Sequence, residues 1–506
     1  MLLSLSLQQG TSMGIVKKQA IPAAIVLYLG VALGYINLVI LFPLALDPAQ
    51  IGLLRFLMNT AMLIVPFAQL GMSNILIRFH PYFEEESAHR KFLFMAFGLP
   101  FVSFLLLFAI LFLFKTPLLA LFEKKSPLIL AYYPVLLPLT FVMMYSGIVS
   151  SYSRTLMKVV YPNFFREFVS RLLIMISILI FLKHVIGFSQ LVFLYVSGYA
   201  LVLLLLLSYT HRVKKYRFTI SRSLIPAKQK KEIIAFSLFS ILASASSILV
   251  GSIDTIMLSA MAGLEKTGIY SVAFFIGLAI ELPRRSIYQI TSPLVAKAWA
   301  ANDISMLQKL YHKTSINQMI IGTLLFIGVW CNVDNIFGLI PHGEIYIAGK
   351  YVVLFIGLGK LLNMSAGNNS DLITNSKYFR FNFYSVGLLA VLTVITNLIF
   401  IPLWGLAGAA VASAFSLFIF NLSKFLFLLI KTGLQPFNLS ALKVILIGSI
   451  AFLAGYYLPF MGNILMDIPV RSTIIVLIYV PGIYYWKTSE DINESINHVL
   501  GKIGLK

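Results

Sequence analysis

QLVFLYVSGYALVLLLLLSY at 190–209, THRVKKYRFTISRSLIPAKQKK at 210–231 and EIIAFSLFSILASASSILVGSIDTIMLS at 232–259 form one continuous stretch. Each apolar run reaches the roughly 20 residues that a helix needs to cross the hydrocarbon core. Between the two runs lie Arg212, Lys214, Lys215, Arg217, Arg222, Lys228, Lys230 and Lys231. A dense basic connection between two spans marks a cytoplasmic loop and excludes a soluble reading of its neighbours.

Working outward, apolar runs of spanning length lie near 20–45, 51–77, 92–114, 128–150, 164–182, 190–209, 233–259, 268–294, 317–338, 351–376, 380–402, 406–430, 442–460 and 471–486. Fourteen spans put both termini on one side. The fifth is the least apolar, with Arg166, Glu167 and Arg171 in its first turns. Of the 506 residues, 59% are hydrophobic and 11% charged, against about a quarter charged in a soluble chain. The chain therefore reads as an all-α polytopic membrane protein. Its formal charge of +21 would suggest nucleic acid in a soluble protein. Here, with the amino terminus inside, 30 basic residues sort to inner segments and 7 to outer loops, and Arg55 and Lys360 lie within spans. The charge is thus topology plus contact with anionic lipid heads, with no nucleic-acid partner. All four Trp (Trp299, Trp330, Trp404, Trp486) fall near span ends, as amphipathic rings should. The single Cys331 excludes an internal disulfide and a CxxC pair. No basic n-region precedes the first apolar run, so a cleaved signal peptide is not expected, and translation starts at Met1 or Met13.

The basic linker divides the chain into an N-terminal segment 1–19, a first lobe 20–209, the linker 210–231, a second lobe 232–432, two further helices in 433–487 and a tail 488–506. Gly52 and Pro66 in the second span are echoed by Gly268 and Pro283 in the eighth, which hints at duplicated halves.

A charge inside the bilayer costs roughly 2.5–3.5 kcal/mol on insertion scales, so polar residues within spans point to a protein or water interior. Arg55, Asn59, Pro66, Gln69 and Ser73 share one face of the second span. Glu281, Arg284, Arg285, Tyr288 and Ser292 share a face of the eighth, around Pro283; Lys360, Asn363, Gly367, Ser370 and Asp371 stripe the tenth. Asp254 lies in the seventh as a cation ligand or as partner to a basic residue. Arg55 either faces a lumen or snorkels to the interface. Glu281 has Arg285 at i, i+4 as a structural partner, the alternative to a lumen role for both arginines. Lys360, about 13 Å into its span, is too deep to snorkel. No GxxxxGK[ST], HExxH or GxSxG is present, and the outer loops are short, so no enzyme is indicated.

PAQIGLLRFLMNTAMLIVPFAQLG at 48–71, SIDTIMLSAMAGLEKTGIYSVAFF at 252–275 and NLIFIPLWGLAGAAVAS at 397–413 resemble the polysaccharide flippases of the O-antigen translocase type. These belong to the multidrug/oligosaccharidyl-lipid/polysaccharide exporter superfamily. Pro402 and Gly405 suit the outer turn between spans eleven and twelve, and Gly408, Ala409, Ala410 and Ala412 suit close helix packing. The resemblance implies two pseudo-symmetric six-helix lobes plus two C-terminal helices, a central cavity and alternating access in a bacterial inner membrane, with both termini cytoplasmic. The implied substrate is an undecaprenyl-pyrophosphate-linked oligosaccharide, the implied partners glycan polymerase or assembly proteins. Arg55 and Arg284 or Arg285 match arginines that serve the pyrophosphate in related lipid-linked precursor flippases. Lys360 stands in for one absent from span one, and Asn59, Gln69, Asn363 and Tyr288 would meet the sugars. Asp254, Asn397 and Ser413 fit three places of a Na+ site known in relatives, while Ile401 occupies the place of its second Asp. No cofactor is implied, and drive would come from Na+, H+ or the membrane potential. A cation-coupled drug or metabolite antiporter and a membrane-embedded glycan polymerase or transferase are the competing readings.

Overall fold

The computed structural model describes residues 22, 25–83, 85–217, 219 and 227–502, and among these every regular element is helical. The expected segment 1–19, with Met1 and Met13, and Arg222 of the linker lie outside the described residues. In chain order come α1 (Ile25–Ala45), α2 (Pro48–Ala68), α3 (Glu86–Leu113) and α4 (Leu128–Thr155). Then follow α5 (160–182), α6 (Phe188–Val213) and α7 (Ala227–Met261). Next are α8 (Leu264–Ala300), α9 (Ile304–Cys331) and α10 (Gly343–Ser365). A 54-residue helix, Phe379–Thr432, bends at Gly405 into α11 (379–404) and α12 (406–432). Finally α13 (Leu439–Tyr456) and α14 (Ile464–Tyr485) precede a short α15 (Glu490–Lys502).

Twelve of these helices are long and apolar enough to cross a bilayer, when α11 and α12 count as one and α5 is set aside. Arg166, Glu167 and Arg171 lower the hydropathy of α5, and part of it (Phe164–Val169) is wound as a π-helix. Among the described residues each segment marked by hydropathy is helical over most of its length.

Local chemistry sets the helix ends. The Asp47 and Gly187 N–H groups donate to Gln50 and Gln190 at the starts of α2 and α6, at 3.2 and 2.7 Å. Asp303, Asn438 and Asn463 accept from backbone N–H groups at the starts of α9, α13 and α14. These side chains satisfy donors that a helix start leaves open. A break is expected at both Pro66 and Pro283: at Pro283 a 3-10 turn at Ala279–Glu281 separates the run to Leu278 from Leu282–Ala300, whereas Pro66 lies in the last turn of an unbroken α2. At the α11/α12 bend, Gly405 has φ 55° and ψ −121°, a combination open to glycine.

The chain divides into two compact units, 1–265 and 266–506. In the first, α7 packs on α2 and on the turn that follows it. Ser237 Oγ donates to the Leu70 carbonyl at 2.8 Å, and Asn74 Nδ2 donates to Ser240 Oγ at 2.7 Å. Gly71, with φ 66°, sits so close to Ser240 that a Cβ would lie 2.8 Å from it. The small serines of α7 seat that helix against the end of α2.

In the second unit α13 and α14 pack on α9 around Ile320, Ile447 and Tyr479. The charge sorting assigns Arg471 to an outer loop. It is instead buried inside α14, where its guanidinium pairs with Asp467 at 3.0 Å and donates to the Gly455 carbonyl. Two charges one turn apart neutralise each other, so the helix starts seven residues earlier than hydropathy alone indicates. Lys313 and Asn317 of α9 hold Asp491 of α15 at 2.5 and 2.9 Å.

Two predictions follow from these contacts. A Cβ on Gly408 would lie 1.9 Å from the Phe400 carbonyl, while one on Gly387 meets open space. Gly408→Ala should lower stability by about 1–3 kcal/mol, and Gly387→Ala should leave it unchanged or raised, read as thermal unfolding midpoints in detergent. Asp467→Ala strands the buried Arg471 and should cost about 3–5 kcal/mol, much of it regained in the Asp467→Leu, Arg471→Met double variant.

Candidate functional site

The polar interior of the second unit is built by α8, α10, α12 and the turn after α10. Glu281 stands at the N-cap position of the helical run Leu282–Ala300, where partial positive charge favours a carboxylate. Its Oε1 accepts from Arg284 at 2.7 Å and from Asn363 Nδ2 at 2.5 Å, and its Oε2 accepts from Lys360 Nζ at 2.9 Å. One carboxylate thus spans two helices and holds two cations, each largely withdrawn from solvent. The i, i+4 spacing offers Arg285 as a structural partner of Glu281, the alternative to a lumen role. The structure uses Arg284 at i, i+3 instead and leaves Arg285 exposed.

Hydropathy also predicts one helix over 351–376. The structure ends α10 at Ser365, turns at Gly367 with φ 58°, and resumes as a short helix at Asn369–Thr374. The expected stripe from Lys360 to Asp371 is therefore split into two groups. A Cβ on Gly367 would meet the Ser315 backbone nitrogen at 3.0 Å, so the break is packed against α9. Non-helical backbone at such depth is tolerated where protein or a cavity receives its polar groups. Here an amide ladder does so: Asn421 donates to Asn363 at 3.1 Å, Asn369 to Asn421 at 3.0 Å, and Gln318 to Asn368 at 3.1 Å.

Lys424 is the member that sequence reasoning misses. It is 1% exposed, its Nζ donates to Ser370 Oγ at 2.8 Å and it lies 3.8 Å from the Phe420 ring centroid. Near the end of a span it counts as one more cytoplasmic lysine. The signal was its place on one face with Ser416, Phe420 and Asn421. Asp371, also buried, lies beside the hydroxyls of Tyr288 and Ser292. Three cations, Arg284, Lys360 and Lys424, thus share this interior with two carboxylates, and Arg285 is exposed at its edge. A cavity of about 500 Å³ opens beside them, lined by Leu278, Glu281, Arg284, Arg285, Tyr288 and Ser370 among others. The arrangement suits an anion with several oxygens, because guanidinium forks and an ammonium offer charge-assisted donors.

Arg55, Asn59 and Gln69 belong to the first unit. Arg55 lies within electrostatic reach of Tyr195 and Tyr199 of α6, Asn59 is buried, and Gln69 accepts from Ser73 Oγ at 2.8 Å. Of the tentative ion ligands, Asp254 is buried in the first unit, and Asn397 and Ser413 are buried in the second. Ile401, one turn after Asn397, is buried and apolar.

The family described as Polysaccharide biosynthesis protein matches residues 17–299, more than half of the sequence. The chain belongs to this family. Among solved structures it is similar to "Lipid II flippase MurJ, inward closed conformation", at 16% identity and a TM-score of 0.73, covering 92% of this chain and 98% of that one. It is also similar to an inward-facing multidrug resistance MATE family transporter of the MOP superfamily, at 16% identity and 0.62, covering 79% and 93%. No curated protein matches. This polysaccharide biosynthesis protein therefore has the helical membrane fold of the MurJ and MATE transporters.

Glu281→Gln would leave Arg284 and Lys360 sharing a neutral amide in a poorly hydrated interior. It should lower stability by about 3 kcal/mol, with part of the loss recovered in Glu281→Gln, Lys360→Met, as thermal unfolding in detergent would show.

Proposed function

We propose that this family member flips a polyprenyl-pyrophosphate-linked oligosaccharide, an O-antigen, capsule or exopolysaccharide repeat unit, from the cytoplasmic to the periplasmic leaflet of a bacterial inner membrane. The observation that carries this reading is Glu281, one carboxylate holding both Arg284 and Lys360 beside a cavity with a surplus of positive charge. A pyrophosphate presents the same chemistry with more charge and more oxygens. It would take over Arg284 and Lys360 from Glu281, with Arg285 as an added exposed cation. Tyr288 and Asn363 would offer hydroxyl and amide contacts to the diphosphate or the first sugar. Arg55, with Asn59 and Gln69 in the first unit, is proposed as a further pyrophosphate contact during alternating access. Glu281 offsets one of the two charges on Arg284 and Lys360, so the empty carrier keeps a positive surplus that a bound pyrophosphate would neutralise in the low dielectric. An anion leaving a negative interior gains about 2.3 kcal/mol per charge per 100 mV, so the membrane potential favours export. Coupling to Na+ or H+ through Asp254, Asn397 and Ser413 is a further part of this proposal.

A second reading, cation-coupled antiport of a drug or metabolite, draws on Asp371, a buried carboxylate with one oxygen lacking a hydrogen-bond partner among the described residues. Deletion separates the two. Flipping predicts build-up of lipid-linked oligosaccharide on the cytoplasmic face and loss of surface glycan. Antiport predicts normal glycan and raised drug sensitivity. Lys360→Ala at normal protein level should reproduce the deletion, and intact export in that variant would remove Lys360 from the site. If pyrophosphate and Glu281 compete for the same cations, Glu281→Gln should bind inorganic pyrophosphate about tenfold tighter, worth about 1.4 kcal/mol, while turning over more slowly.

A further inference from the structure

The first unit contains a cavity of a different character, about 580 Å³ in volume, on the helices that meet the bilayer. Its walls come from α2, α3, α4 and the short helix Lys115–Glu123, with Ile256 of α7. Apart from Thr60, Lys115 and Tyr133 the lining is entirely apolar. The lip is exposed: Phe112 is 71% and Leu121 64% accessible. In a bilayer such a slot is filled by hydrocarbon, since water would find almost no partner there.

Charge gathers at one end. Lys115 Nζ lies 4.8 Å from the Tyr133 ring centroid and makes no ion pair among the described residues. Lys124 and Lys125 follow at the end of the same short helix, with Glu123 the one acid beside them. This cluster is far from the basic linker: α3 starts at Glu86, whose carboxylate pairs with Arg217, and its 28 residues carry the chain about 42 Å before Lys115 is reached. The lysines thus face the leaflet opposite to the linker, on a side otherwise poor in basic residues. Topology does not account for them, whereas a phosphate head seated over an acyl slot does.

We propose that this groove is a binding site for an anionic phospholipid of that leaflet, with one acyl chain between α2, α3 and α4 and the phosphate against Lys115. The cavity has the size of a single acyl chain and is far too small for a long polyprenyl chain, so the occupant is a bilayer phospholipid and not the tail of the transported species. Tyr133 fixes the ammonium through its ring face at the mouth. The site is independent of what the protein transports.

The test uses full-length protein in mild detergent with equal amounts of phosphatidylglycerol and phosphatidylcholine of the same chains, followed by native mass spectrometry. Phosphatidylglycerol should be retained over phosphatidylcholine by about fivefold. Lys115→Gln should bring the two to parity, and Lys115→Arg should keep the preference. Thr60→Trp, which fills the slot, should reduce retention of both lipids. Should that variant fail to fold, short-chain phosphatidylglycerol on the unaltered protein replaces it, and weak retention is again expected. An unchanged preference in Lys115→Gln overturns the proposal. So does equal retention of short and long chains, or displacement of phosphatidylglycerol by an equal amount of undecaprenyl phosphate.

Discussion

Charge inside a low-dielectric interior must be matched on the spot, and Glu281 shows how the second unit meets that requirement. Its two oxygens take donors from Arg284, Lys360 and Asn363, which join α8 to α10, and Asn421 carries the network on to α12. Each desolvated ion alone would cost several kcal/mol. Together they leave a positive surplus beside an open cavity, and the surplus gives an anionic ligand a reason to enter.

Not every intramembrane pair has that character. Glu167 and Arg171 in α5, and Asp467 and Arg471 in α14, are one turn apart on a single helix and compensate each other without a neighbour's charge. Such pairs let a helix carry polar atoms through the membrane and bind it to its surroundings, as Arg471 does through the Gly455 carbonyl. The Glu281 cluster differs because Lys360 comes from α10, so a shift of α10 against α8 would part Lys360 from the carboxylate while Arg284, on the same helix as Glu281, stays. A conformational cycle can act on such a cluster, whereas a self-contained i, i+4 pair travels unchanged.

Much of this was legible in the amino-acid sequence. Hydropathy and caps mark the helices, Pro283 accompanies the break in α8, and Pro402 with Gly405 marks the α11/α12 bend. Such features depend on backbone geometry within a few residues. The same reasoning offers Arg285 as the structural partner of Glu281, runs α10 straight through Gly367 and counts Lys424 and Arg471 as loop or end charges. In each case the deciding fact was a neighbour remote in the chain: Lys360 for Glu281, Ser315 beside Gly367, Ser370 for Lys424, Asn335 and Gly455 around Asp467 and Arg471.

Sequence alone determined that this is a helical membrane protein, where its helices run, and that basic residues outnumber acidic ones within its spans. Span length, hydropathy and net charge are additive along the chain, so they need no tertiary information. The tertiary structure decided which of those charges meet, that one carboxylate serves two cations, and that the first unit carries an apolar slot with a lysine at its mouth. Those outcomes depend on helix rotation and on packing between segments far apart in sequence, which no local pattern encodes.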